Sequence, residues 1–498
     1  MGVIKRNSFT STTISFLGAG LGFLCTIWLF PNFLTPDQNG LTVVLLSVAM
    51  IYQSFAHLGS INSLNHFYFR VHKDKRRNGA LVGYAFSVCT GGFVIIAVLI
   101  LTFKQKTIEM FGSKSPLFID YFNWIFFISF FLLLYSILES YARSLFKLMV
   151  PTFIKEVLIR VLNIIAILLF GYDLISFPVF IASFAASYFI AFFLMFAFLK
   201  FRKKLPINFN FAALTKKEYS EITKYSFSNI LNGTIWVLAT RIDILMITFY
   251  LGLTQPAVFN IAVALVTLIQ IPLRSMQQVA VPVITRSWKE NDMTELKNFY
   301  HQSALNLLLI GSFLFLLLVA NLAAVFHFLP SVYHEAKPLI IILGISKVID
   351  MATGVNTEII MFSKKYYVLT IIIAIIMIIT VTANFILIPV YGITGAAYSS
   401  FIAVAVFNLL KFLWVKNEHG FQMTSLKYFI VLLLAAVTFC TVYFIPDYNR
   451  VIPNSMMKSS IVLVMFLFPV LFFKLSPELN SVLGHLQKRF LKLLKGKI

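Results

Sequence analysis

The stretch 236–252, WVLATRIDILMITFYLG, is apolar except for Arg241 and Asp243 near its middle. Seventeen residues of this kind read as most of one membrane-spanning helix, because about 20 mostly apolar residues cross the hydrocarbon core. The rest of the 498-residue chain is of the same character: 59% hydrophobic, only 12% charged, with a mean hydropathy of +0.87. Soluble domains are about 25% charged. No aqueous core could hide so much apolar surface, so the solvent of this chain is lipid.

The net charge of +22 is therefore read first as Lys and Arg in cytoplasmic loops. No basic-aromatic module stands apart from the hydrophobic runs, so nucleic acid is not an expected partner. Cys25, Cys89 and Cys440 lie inside apolar runs without partner spacing, which suggests neither a disulfide framework nor a zinc site. The first run follows Lys5 and Arg6, shows no small-residue cleavage site and is succeeded at once by a second run. It reads as a retained first helix.

About fourteen segments meet the length criterion, near 9–33, 41–66, 79–103, 118–142, 152–171, 178–199, 225–251, 256–282, 301–325, 338–362, 366–389, 393–413, 427–445 and 458–474. With both termini cytoplasmic, Lys104, Lys106, Lys114, Lys337, Arg450 and Lys458 fall outside, and Arg160, Arg241, Arg274 and Lys347 fall within helices. The remaining 31 of the 41 Lys and Arg are inside. That asymmetry sets the orientation. In a background lacking native cysteines, a cysteine at Pro453 is expected to react with an impermeant thiol reagent from outside, and one at Lys216 is not. Reversed labelling would overturn the topology.

A faint internal repeat is present. Ser8-Phe9 opens a span ending at Leu34-Thr35, and Ser226-Phe227 opens one ending at Leu253-Thr254, each followed directly by another span. Two six-helix blocks in the same orientation predict two lobes around a central cavity. The expected organisation is an N-terminal six-helix lobe (1–200), a linker (201–224), a C-terminal six-helix lobe (225–416), two additional transmembrane helices (417–476) and a basic amphipathic tail (477–498) suited to the anionic inner leaflet. The linker carries Thr215 and Glu218 at capping-box spacing, which predicts a short interfacial helix.

Charges inside a bilayer are costly and should face protein or a wet cavity. Helical periodicity groups Asn229, Asn232, Gly233, Trp236, Thr240 and Asp243 on the seventh segment. It groups Asn260, Thr267, Gln270, Arg274, Gln277 and Gln278 on the eighth, and Lys347, Asp350, Gly354, Thr357 and Glu358 on the tenth. The second offers Gln53, His57 and Ser60. Arg241 sits about 200° from Asp243 around the helix and must serve a neighbouring helix, snorkel or line a second surface. Glu139/Arg143 and Glu156/Arg160 have the i, i+4 spacing of structural ion pairs. Lys347 and Asp350, at i, i+3, could neutralise each other. Arg274 has no acid at helical spacing on its own segment and is expected in the cavity. His57 suits packing better than proton relay. Ser11, Ser15, Gly18, Gly22 and Cys25 form a small-residue seam suited to close packing. There is no phosphate loop, paired catalytic carboxylate or metal-spaced histidine pair, so an enzyme is not expected, nor any cofactor.

Three motifs resemble the polysaccharide transporter branch of the multidrug/oligosaccharidyl-lipid/polysaccharide (MOP) flippase superfamily: LTPDQNGLTVVLLSV after the first helix, RIDILMITFYLGLTQPAVFNIA, and ILIPVYGITGAAYSSFIA. The chain departs from that pattern at AHLGS, where an acid is common, and at QPAVFNIA. The resemblance implies an all-α polytopic fold with fourteen helices. It implies a flippase that carries a polyprenyl-pyrophosphate-linked oligosaccharide from the cytoplasmic to the outer leaflet of the bacterial inner membrane by alternating access. Arg274, Lys347, Arg241, Asn229, Asn232, Thr240, Gln270 and Gln277 are then the candidate cavity residues. Asp243, Asp350, Glu358 and His57 are candidates for coupling or counter-charge. The expected partners are the lipid-linked oligosaccharide, membrane lipids, and a glycan polymerase or chain-length machinery. A cation-coupled drug exporter of the same fold should favour carboxylates and aromatics over cations. A membrane polymerase or acyltransferase should need a larger outer loop than this chain has.

Overall fold

Thr35 ends one helix and starts the next. Its hydroxyl accepts from the Gln38 N–H at 3.3 Å, the Gln38 side chain accepts from the Thr35 N–H at 3.0 Å, and Pro36 occupies the first helical position. This reciprocal cap satisfies two of the donors a helix start leaves open, so two spans can follow each other with almost no loop. The same economy recurs along the chain, and the computed structural model is helix throughout its regular structure. It describes residues 2–112, 114–202, 205–421, 425–448, 450–476 and 480; side-chain placement is described from residue 13 onward and not at 107, 110, 112, 231 and 232. The expected amphipathic tail at 477–498 lies outside the described residues, apart from Asn480.

Among the described residues, twelve helices are long and apolar enough to cross a membrane. The two expected segments that fall short do so for physical reasons. Residues 149–171 are continuously helical but carry Lys155, Glu156 and Arg160, and they pass through a π-helical turn at Ile154–Leu158. The expected 338–362 span is two pieces, Ala336–Ala352 and Asn356–Met361, broken around Gly354 at φ +63°. The expected 41–66 span is likewise cut. Its helix ends at Ala56, Leu58 and Gly59 take φ of 44° and 73°, and a separate amphipathic helix runs Ser60–Val71.

The chain forms two compact units, Met1–Asn260 with Ile388–Ile393, and Ile261–Leu387 with Thr394–Ile498. In the first unit, the two joints singled out by the repeat meet. Thr254 Oγ1 donates to Asp37 at 2.5 Å, and Gly40 lies so close to the Leu253 carbonyl that any Cβ there would collide with it. The small-residue seam is a packing surface. Gly18 rests on the Glu156 backbone and Gly22 on the Arg160 guanidinium. The linker helix Lys216–Ser228 starts at the expected capping box, Thr215 with Glu218. It packs on the Ser60–Val71 helix through Ser63–Ser226 at 2.6 Å and the stacked rings of His66 and Tyr225. Tyr84 on Lys75–Thr102 donates to Thr223 at 3.3 Å. Ion pairs Arg70–Glu221 and Arg77–Glu218 border this contact; exposed pairs like the first add little stability, so the buried Ser63–Ser226 contact sets the register, with the ring stack beside it.

The second unit is centred on Tyr300, Ile284, Val355, Ile359 and Phe421, all buried. Here Tyr428 donates to the Ala352 carbonyl at 3.3 Å, at the end of the helix that precedes the break.

Candidate functional site

In the second unit the polar stripes of the eighth and tenth segments converge. The span Thr254–Glu290 tightens to a 3-10 turn at Leu268–Gln270, just ahead of Pro272, which has no N–H to continue the ladder. That turn delivers Gln270, whose amide donates to Asp350 at 2.8 Å. A third helix completes the cluster. Lys411, on Ile393–His419, is 2% exposed; its ammonium lies 3.8 Å from Asp350, donates to Thr357 at 3.0 Å and sits 4.1 Å from the Phe407 ring centroid. Glu358 is buried, takes a hydrogen bond from Gln277 and keeps one oxygen without a hydrogen-bond partner among the described residues. Thr353, in the helix break, donates to Asn408 at 2.7 Å. The side chain of Asn356, just beyond it, is fully buried with neither polar atom hydrogen-bonded among the described residues.

Lys411 is the residue the sequence reading placed wrongly, among the cytoplasmic cations. The helix runs six residues past the expected end at 413, to His419, and buries Lys411 two turns inside. The break explains why Asp350 and Glu358 share one locality: they face each other across an interruption, not along one continuous stripe. Lys347 is half-buried and engaged with other groups. Arg274 differs from all of these. It is exposed, near the middle of the 37-residue span Thr254–Glu290, and no hydrogen bond or ion pair joins it to another described residue.

The first unit holds the seventh segment. Asp243 is 9% exposed and engaged with other groups, while Arg241 is half-buried and within electrostatic reach of the buried Tyr188 on Phe177–Phe201. Arg160 approaches the same tyrosine and pairs with Glu156 at 3.0 Å. Arg143 and Lys155 both pair with Glu139, at 2.5 and 3.3 Å, so both i, i+4 pairs are present. Asn229 donates to the Tyr225 carbonyl at 2.9 Å and Thr240 to the carbonyls of Trp236 and Val237, each within its own helical run. His57 accepts the Gly59 N–H at 2.9 Å through Nδ1 and lies over Gly233 with its other nitrogen; it caps a helix end. The Asn232 side chain lies outside the described ones.

Arg241→Ala is expected to lower folded yield, because the tyrosine-facing cation is lost from a buried helix contact. Asp243→Asn keeps shape and hydrogen bonding, and it should slow transport at near-normal thermal stability. Melting curves in detergent beside transport assays compare the two. The opposite pattern would exchange their roles.

Among the described residues, no group of three or more His, Cys, Asp or Glu side chains is placed to hold a metal ion. What the second unit does assemble is buried cation, carboxylates and amides beside an exposed mid-span guanidinium, which is equipment for handling charge inside a membrane. Residues 4–288 match the family model described as polysaccharide biosynthesis protein. The chain belongs to the polysaccharide biosynthesis protein family. Its twelve long apolar helices make this family member a multi-pass membrane protein. Its fold matches the structure of "Lipid II flippase MurJ, inward closed conformation", with a TM-score of 0.74 at 15% identity, over 93% of this chain and 98% of that one. It also matches an inward-facing multidrug resistance MATE family transporter of the MOP superfamily, with a TM-score of 0.65 at 14% identity, over 82% and 94%. A MOP superfamily transporter from Pyrococcus furiosus gives 0.59 at 14% identity, over 84% and 95%. At these identities the likeness is one of fold. No curated protein sequence matches this family member.

Proposed function

We propose that the protein is a flippase for a polyprenyl-pyrophosphate-linked oligosaccharide, moving it by alternating access from the cytoplasmic to the outer leaflet of the bacterial inner membrane, with both termini cytoplasmic. The observation that carries this reading is Arg274. The 37-residue helical run puts it about 30 Å from the Thr254 end and about 24 Å from the Glu290 end at 1.5 Å per residue. The run is longer than the hydrocarbon core of about 30 Å, and a guanidinium at the centre of that core costs at least about 2.5–3.5 kcal/mol on insertion scales. A diphosphate offers it charge-assisted, forked hydrogen bonds. The exposed amide of Gln278, on the same run one turn further along, supplies hydrogen bonds for a glycan in place of water. The family's polysaccharide assignment agrees with this cargo.

The test uses proteoliposomes containing a fluorescent short-chain polyprenyl-pyrophosphate glycan. Transport is read as the labelled fraction accessible to an impermeant quencher over time. The expected result is faster equilibration between leaflets than in protein-free vesicles, without export of a cationic dye under a proton or sodium gradient. Dye export without glycan-lipid movement would replace this reading with that of a drug exporter.

A further inference from the structure

A groove of about 740 Å³ opens in the second unit between the end of the Met293–Ala320 helix region and the start of Val451–Phe472. Its walls include Phe328, Ile452 and Met456, which are 63%, 69% and 67% exposed. Arg450 and His327, both exposed, add cationic or protonatable groups to its lining. Inside, Asn321 donates to Ser459 at 3.0 Å, and the buried hydroxyl of Ser455 has no hydrogen-bond partner among the described residues.

The charge around the groove is unbalanced. Asp447, the nearest acid in sequence to Arg450, is already engaged: Lys458 donates to it at 2.7 Å and Asn454 at 2.9 Å. Burial works against its charge, but these hydrogen bonds and the nearby Lys337 outweigh that and hold the carboxyl below its usual range. Glu335 is engaged with other groups. No hydrogen bond or ion pair joins Arg450 to another described residue. A groove with one apolar wall and an uncompensated cation, at the ends of membrane-spanning helices, has the chemistry of an amphiphile with a negative head. A guanidinium at a helix end offers a phosphate charge-assisted hydrogen bonds, and the apolar wall beside it takes an acyl chain.

We propose that this groove binds one anionic glycerophospholipid. Its phosphate lies against Arg450 and His327, and one acyl chain runs along Phe328, Ile452 and Met456. The site is separate from Arg274 and does not depend on which cargo is transported.

Full-length protein in nanodiscs of mixed phosphatidylglycerol and phosphatidylcholine, released into detergent and weighed by native mass spectrometry, tests this. The wild type should retain phosphatidylglycerol in preference to phosphatidylcholine. Arg450→Ala should lower that retention about fivefold, the effect of one basic group at a membrane surface. Met456→Trp should lower it by filling the chain path with every charge in place. Lys104→Ala, on the other unit, should change nothing. Equal retention of the two lipids by the wild type, or full retention by both Arg450→Ala and Met456→Trp, would overturn the proposal. Outright displacement by millimolar inorganic phosphate would make the site one for a free anion and also overturn it.

Discussion

Arg274→Ala is expected to abolish glycan-lipid export while the protein still inserts, accumulates and melts as the wild type does. The two halves of that expectation have separate causes. Arg274 is exposed and is not tied to another described residue, so its removal breaks no internal contact. If it holds the diphosphate, the loss of a charge-assisted partner costs about 2–5 kcal/mol of binding, or about thirtyfold and upward in affinity. Arg274→Lys should recover part of the activity, since a point charge survives but the planar fork does not. The measurement is initial flipping rate in proteoliposomes beside a melting curve. An Ala variant that flips at the wild-type rate would remove Arg274 from the cargo site and with it the main support for an anionic cargo.

Lys411→Met is expected to show the reverse pattern, with a large loss of stability whatever the cargo. The ammonium is buried and is ion-paired with Asp350, beside a second carboxylate at Glu358. Removing one partner of a buried pair leaves the other uncompensated, at a cost of about 3–5 kcal/mol. Methionine keeps most of the volume, so the effect reports charge and not a cavity. Asp350→Asn added to Lys411→Met should restore much of the loss, because Gln270 can still hydrogen-bond an amide at that position. Melting temperature and folded yield in detergent read both variants. A single variant that melts with the wild type would mean the pair contributes nothing. A double variant no better than the single would assign the loss to packing.

The sequence reading reached some of these features and not others, for identifiable reasons. Helix starts were legible where their chemistry is local: Thr215 with Glu218 forms the expected cap. The i, i+4 pairs were legible because one helix contains both partners, as in Glu156–Arg160. The seam at Gly18 and Gly22 was legible as a packing surface but not its counterpart, since residue spacing says nothing about which helix arrives there. The same limit hid Tyr188 as the neighbour of Arg241. The break at Gly354 is not legible in the residues, because those flanking it are apolar enough to continue a span, and the stripe through Lys347, Asp350, Thr357 and Glu358 holds only on an unbroken helix. Lys411 lies only two residues before the expected end at 413, which groups it with the cytoplasmic cations and hides the cation that organises the cluster.

The interrupted segment has a consequence during synthesis. Ala336–Ala352 is 17 residues long, about 26 Å at 1.5 Å per residue, short of a hydrocarbon core of about 30 Å. It carries Lys347 and Asp350, and Glu358 follows in the next short piece. Such a stretch partitions poorly from the translocon into lipid by itself. Its counter-ion is made late, since Lys411 lies 54 positions after Thr357. At about 5–20 residues per second the ribosome needs about 3–11 s to supply it. Over that interval Asp350 and Glu358 lack the ammonium that they meet in the folded protein, so the tenth segment is completed by a helix that does not yet exist when it first emerges.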